Sequence, residues 1–182
     1  MFFSSKQKTI LGVDIGTSYI KVAQITHGEH RVLDTYGIVN LAEQIENASN
    51  EAVINLTATI LKNLLEKARV TTKRCVVSLP NSAVFTSVID MPSMTDDELA
   101  ASMKFEAKKY VPLPFSDVSL SWSVVSINEA AGTIKVLLIA VPNAVRESYV
   151  KIFDLAGLQL EIIEIEALAL IRSLVTVKTE NN

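Results

Sequence analysis

The sequence predicts an α/β protein, and three observations carry that prediction. Three β-like runs lie between Thr9 and Val39, an amphipathic segment of helical period covers Val53 to Ala68, and a short β-branched run from Cys75 to Leu79 follows. Near Asn81 the chain changes character and starts a second set of strands around a capped helix. A length of 182 residues with 49% hydrophobic content provides a core for one large domain or two small ones.

Thr9 to Asp14, Tyr19 to Thr26 and Arg31 to Val39 read as an antiparallel meander, its second turn being His27-Gly28-Glu29-His30. Gln44 to Asn50 is a polar connection. In the helix that follows, Ile54, Thr57, Leu61, Leu64, Leu65 and Ala68 recur on one face, ready to pack on the sheet. Cys75 to Leu79 then adds a fourth, buried strand, and Pro80-Asn81-Ser82 marks a break.

Beyond the break, Val84 to Met91 reads as a strand, and Thr95-Asp96-Asp97-Glu98 is a capping box that opens a helix. Leu99, Met103, Ala107 and Tyr110 form its expected buried stripe, and Pro112 and Pro114 end it. Trp122 to Ile127 and Ile134 to Val141 are strands around an Ala130-Ala131-Gly132 turn. Asn143 is placed to cap a helix with Val145, Tyr149, Ile152, Phe153 and Ala156 on its face, and Gly157 stands where a C′ glycine belongs. Leu158 to Ile165 reads as a strand, Ala167 to Val175 as a last apolar helix, and the tail from Thr176 is polar.

Several function classes are disfavoured by composition. The longest apolar stretch, Ile134 to Pro142, is interrupted by Lys135 and falls well short of the ~20 residues a spanning helix needs. Phe2 and Phe3 precede Ser4, Ser5, Lys6 and Lys8 with no apolar run of signal-peptide type behind them, so export is not expected. With 17 basic and 20 acidic residues the net charge of -3 gives no reason to expect nucleic acid. Cys75 is the single cysteine and is expected to be reduced and buried. His27 and His30 lack a third ligand nearby in sequence, and a solvated turn is the expectation there. Glu106, Lys108 and Lys109 read as a charged helix face.

The strongest local signal is Gly12-Val-Asp14-Ile-Gly16-Thr17-Ser18-Tyr-Ile-Lys21: a strand ending in an acid, a glycine-hydroxyl turn, and a returning strand that carries a lysine. Gly16 is expected to take a positive φ and let the Thr17 and Ser18 amides approach a phosphate. Asp14 is placed to hold a hydrated Mg²⁺, and Lys21 to add a point charge near the phosphate. A plain hairpin turn, with Asp14 stabilising the turn and Lys21 solvated, is the other reading. A second candidate surface is the proline-stiffened strip formed by Phe105, Tyr110, Val111 and Leu113, which reads either as core or as the lining of a partner groove.

The segment around Asp14 resembles the first phosphate motif of the actin, heat-shock-70 and sugar-kinase superfamily. The runs Met91-Pro-Ser-Met-Thr-Asp-Asp-Glu98 and Glu106-Ala-Lys-Lys-Tyr110-Val-Pro112-Leu-Pro114, with the later Glu164-Ile-Glu166-Ala-Leu-Ala169, resemble the type IV pilus assembly proteins of the PilM family. That resemblance implies an RNase-H-like, actin-like lobe made of residues 8–81 and 158–176, an inserted α+β domain at 82–157 and a frayed tail at 177–182. It implies ATP and Mg²⁺ held between two lobes in complete members; this chain stops before the later nucleotide motifs and would carry half of such a site. It further implies a cytoplasmic scaffold, peripheral to the inner membrane, that binds the cytoplasmic tail of a PilN-like bitopic protein in a groove involving the first and inserted domains. Self-association is a further partner expectation. The rival readings are a cell-division actin homologue of the FtsA type and a sugar or acetate kinase, the latter without a polar cluster to recognise a polyol.

Overall fold

The computed structural model of the protein describes residues 8–41 and 50–175. Most of the polar connection, the start before Lys8 and the tail from Thr176 lie outside them. The chain forms two compact units, one made of the residues up to Pro80 together with those from Ser148 on, the other of Asn81–Glu147.

The first unit is built on a sheet of five strands: β1 (Lys8–Ile15), β2 (Tyr19–His27), β3 (Arg31–Asn40), β4 (Arg74–Leu79) and β8 (Gln159–Ile165). Their order across the sheet is β3-β2-β1-β4-β8. The first three pair antiparallel, whereas β4 joins β1, and β8 joins β4, in parallel. A parallel neighbour needs a crossover connection, and α1 (Asn50–Lys67) supplies it between β3 and β4. Its face of Ile54, Thr57, Ala58, Leu61, Leu64 and Leu65 is buried. It packs against Leu11, Val13, Ile15, Ile20, Val22, Cys75 and Val77 of the sheet. Cys75 is fully buried, and burial pushes its thiol up to about 12, so it stays protonated and inert.

Helix α3 (Asn143–Leu155) sends Ile152 and Phe153 into this same core, with Ala156 and Leu158 just beyond its end. The first unit therefore resumes at Ser148, inside α3, ahead of the expected insert limit at residue 157. Gly157 ends the helix at φ 77°, and Leu158 N–H donates to the Phe153 carbonyl at 3.0 Å, the closure that a left-handed residue permits. Helix α4 (Glu166–Leu174) follows β8.

One buried polar side chain ties the crossover to the sheet. Gln24, on the core side of β2, accepts from the Thr71 N–H at 2.8 Å and donates to Thr71 Oγ1 at 3.0 Å and to Asp34 Oδ2 at 3.1 Å. Thr26 donates to the same Asp34 oxygen at 2.7 Å, and the two donors, Thr26 first, hold the Asp34 carboxyl below the usual carboxylate range. These bonds fix the α1–β4 connection, where Arg69 sits at φ 54°, a conformation that is costly for a residue with a Cβ.

The second unit has three strands, β5 (Phe85–Pro92), β6 (Val118–Asn128) and β7 (Thr133–Pro142). They form an antiparallel sheet in the order β5-β7-β6, covered on one face by α2 (Asp96–Glu106). The capping box is present: the Thr95 hydroxyl accepts from the Glu98 N–H, and Glu98 Oε2 accepts from the Thr95 N–H at 2.9 Å. Leu99, Met103 and Ala107 meet Ile89, Met91, Val136 and Leu138 in a separate core. Asn143 is the first helical residue of α3. Its amide is engaged elsewhere: Oδ1 accepts from Ser119 Oγ and Nδ2 donates to the Ser116 carbonyl, both at 2.9 Å.

Replacing Gln24 by Leu keeps the volume but removes the hydrogen bonds that Gln24 makes to Thr71 and Asp34. We expect a loss of about 0.5–1.5 kcal/mol in urea unfolding, the net worth of a typical intramolecular hydrogen bond; an unchanged midpoint would remove Gln24 from the set of structural bonds.

Candidate functional site

Because Leu11, Val13 and Ile15 point into the core, the intervening Gly12 and Asp14 lie on the opposite face of the sheet. Register then selects their neighbours. Asp14 is opposite Lys21 on β2 and Ser78 on β4, and Ser78 is in turn opposite Glu164 on β8. A polar row, Lys21-Asp14-Ser78-Glu164, crosses the sheet. One pleat away runs an apolar row, Ala23-Gly12-Val76-Ile162. All of these residues but Ile162 line a cleft of about 300 Å³, into which Ala169 of α4 also projects.

Within the row Lys21 Nζ donates to Asp14 Oδ2 at 2.9 Å, and Ser78 Oγ donates to Asp14 Oδ1 at 3.1 Å. Glu164 is paired with Arg172 of α4. The hydrogen bond to Asp14, and then its charge, raise the Lys21 ammonium above its ordinary pKa of 10.5. The pair's contribution is therefore complete below that value and lost as pH rises through the raised pKa. Since Lys21 is largely exposed, it is a small one. Beneath the turn, the Tyr149 hydroxyl donates to the Ile15 carbonyl at 3.5 Å, and burial, then Asp14, push its phenol up to about 12.

The turn itself differs from expectation at Gly16. Among the described glycines only Gly132 and Gly157 have positive φ, so Gly16 is not left-handed. Its N–H donates to the Tyr19 carbonyl at 2.9 Å and closes the turn, and a Cβ there would meet that oxygen at 3.4 Å, an ordinary contact. Leu41 N–H donates to the Ser18 carbonyl at 2.7 Å and braces the turn from the end of β3. Thr17 is exposed and Ser18 half-buried. The structure thus brings Asp14, Lys21 and the Gly16-Thr17-Ser18 turn to one end of the sheet and adds Ser78, which sequence reasoning missed. The donor set is one carboxylate with hydroxyls and a lysine, hard oxygen chemistry that fits a hydrated Mg²⁺ and a phosphate.

The second candidate surface divides. Phe105, Tyr110 and Leu113 are 69%, 42% and 37% exposed, whereas Val111 is 6% exposed and belongs to the core of the second unit. Val111 has no face to offer a partner, and Tyr110 is not part of the buried stripe. The reason is local. The buried stripe advances in steps of four, Leu99, Met103, Ala107 and Val111, and past the 3₁₀ turn Ala107–Lys109 the Val111 N–H donates to the Ala107 carbonyl at 3.0 Å, which leaves Tyr110 outside the stripe. Lys108 Nζ lies 5.6 Å and 5.7 Å from the ring centres of Phe105 and Phe115. Glu106 holds Lys109 through both carboxylate oxygens at 2.8 Å. His27 and His30 are exposed, and among the described residues no group of three or more His, Cys, Asp or Glu is arranged for a metal.

A sheet of this order, with an acid at the end of its central strand and a hydroxyl-bearing hairpin turn beside it, is the first lobe of an actin-like ATPase fold, here with a small α+β unit set into it. The chain belongs to the type IV pilus assembly protein PilM family, whose model matches residues 12–180. Among solved structures it is similar to the PilM-PilN type IV pilus biogenesis complex, at 23% identity and a TM-score of 0.78 over 91% of this chain and 49% of that one. It is also similar to the cytoplasmic domain of EpsL, an inner membrane component of the type II secretion system of Vibrio cholerae, at 16% identity and a TM-score of 0.55 over 86% of this chain and 57% of that one. The chain therefore spans roughly half the length of the proteins it matches.

Proposed function

We propose that this chain is a scaffold of type IV pilus assembly that binds the cytoplasmic tail of a PilN-like bitopic inner-membrane protein and carries half of an actin-like ATP site. Family membership supports the pilus role, and the similar solved structure is itself a PilM-PilN complex. Such a partner would hold the chain at the cytoplasmic face of the inner membrane; among the described residues no helix is long and apolar enough to cross one.

The observation that carries the partner reading is the exposed strip Phe105, Tyr110 and Leu113, stiffened by Pro112 and Pro114. A rigid apolar strip loses little entropy on binding and suits an extended peptide that places alternate side chains against it. On the lobe, Asp14, the Thr17 and Ser18 amides and Lys21 would meet one end of a triphosphate. ATP would supply the phosphates and Mg²⁺ would offset their charge. Binding at one end leaves phosphoryl transfer unpositioned, so assembly rather than turnover is the role of this chain.

Calorimetry of the chain with a synthetic peptide of the cytoplasmic tail of the PilN encoded in the same genome tests the scaffold role. Tyr110→Ala with Leu113→Ala is expected to weaken binding by about 1–3 kcal/mol without changing the circular dichroism, as is Phe105→Ala alone. Absence of binding to the unaltered chain would contradict the scaffold role, and full binding by the variants would move the contact elsewhere. The same instrument tests the half site: Mg·ATP should bind no tighter than about millimolar, near -4 kcal/mol, and a micromolar constant would show the site to be complete.

A further inference from the structure

Each oxygen of Asp14 already has a donor, and the two donors differ in kind. Ser78 is fixed by its strand and reaches Oδ1 at 3.1 Å with a neutral hydroxyl. Lys21 reaches Oδ2 at 2.9 Å with a full positive charge on a long flexible stem, and its side chain is 56% exposed against 32% for Asp14. An ion pair this open is weakly held and free to exchange. A divalent cation on the same carboxylate would sit a few ångströms from the ammonium, where two cations repel strongly even at intermediate dielectric.

We infer that Lys21 is the resident counter-ion of Asp14, holding the carboxylate until it swings aside for a divalent cation, and that Ser78 is the positioning residue that keeps Asp14 aimed meanwhile. The inference rests on the reading of Asp14 as the metal-side residue of a phosphate site, and it adds to that reading a competition built into the strand register. Lys21 and Asp14 are direct cross-strand partners, so the lysine is carried to the carboxylate whenever β1 and β2 pair. Displaced from Asp14, the same ammonium becomes available to a phosphate. Lysine release and cation uptake would then be one exchange, in which a charge of +1 leaves the carboxylate and a charge of +2 replaces it.

The test uses the intact chain and Mn²⁺ alone, read as paramagnetic broadening of the Asp14, Ile15 and Ser78 amide signals in ¹⁵N NMR spectra, which also report whether each variant is folded. Lys21→Gln, which keeps the stem and removes the charge, should raise Mn²⁺ affinity at these amides about tenfold, the effect of deleting one nearby like charge. Adding Ser78→Ala should lower that affinity severalfold while leaving the spectrum otherwise native. Adding Asp14→Asn should abolish the local broadening. Identical Mn²⁺ curves for the unaltered chain and Lys21→Gln would overturn the counter-ion role and leave the metal reading standing. Absence of local broadening in Lys21→Gln, or its persistence with Asp14→Asn, would overturn the metal reading and the exchange with it.

Discussion

The alternation of side chains along β1 is the constraint from which the rest of the first unit follows. The strand is bonded on both sides, to β2 and to β4, and Leu11, Val13 and Ile15 are its contribution to the core under α1. With a period of two, burying those three residues forces Gly12 and Asp14 to the other face. A slip of one residue would bury a carboxylate and expose three large apolar side chains, so the register is strongly determined. Asp14 thus gains Lys21 from one neighbour and Ser78 from the other without any loop having to place them.

The other features of the molecule support that arrangement in separate ways. α1 makes the parallel pairing of β1 and β4 possible, and the Gln24 bonds to Thr71 and Asp34 fix the segment through which α1 returns to the sheet. The second unit has its own core between α2 and a three-stranded sheet, and Phe105, Tyr110 and Leu113 lie outside that core. The exposed strip and the Gly16-Thr17-Ser18 turn accordingly belong to different units.

Much of this was legible in the sequence because the signals were periodic. The three antiparallel strands, the helical face from Ile54 to Leu65, the capping box at Thr95 and the left-handed Gly157 all occur where residue pattern alone places them. Four features were not. Ser78 looked like one residue of a buried strand, and only the parallel register to β1 reveals that it faces Asp14. Gly16 suggested a positive φ, yet its backbone is not left-handed and its N–H closes the turn on the Tyr19 carbonyl. Tyr110 looked like part of the buried stripe, but the stripe runs in steps of four and continues at Val111 instead. The limit of the insert was obscured by α3, a continuous helix whose later residues pack in the first core.

If β1 works in this way, its two faces have different duties: one holds the fold and the other holds the site. Urea unfolding of the triple variant Asp14→Asn, Lys21→Gln, Ser78→Ala, set beside Leu11→Ala, measures that separation directly. The account predicts that the triple variant stays within about 1 kcal/mol of the unaltered chain, as expected for exposed polar contacts. Leu11→Ala should lose about 2–5 kcal/mol, the cost of a cavity in a packed core. A triple variant that unfolds as readily as Leu11→Ala would contradict it, because the polar row would then be part of what holds the sheet together.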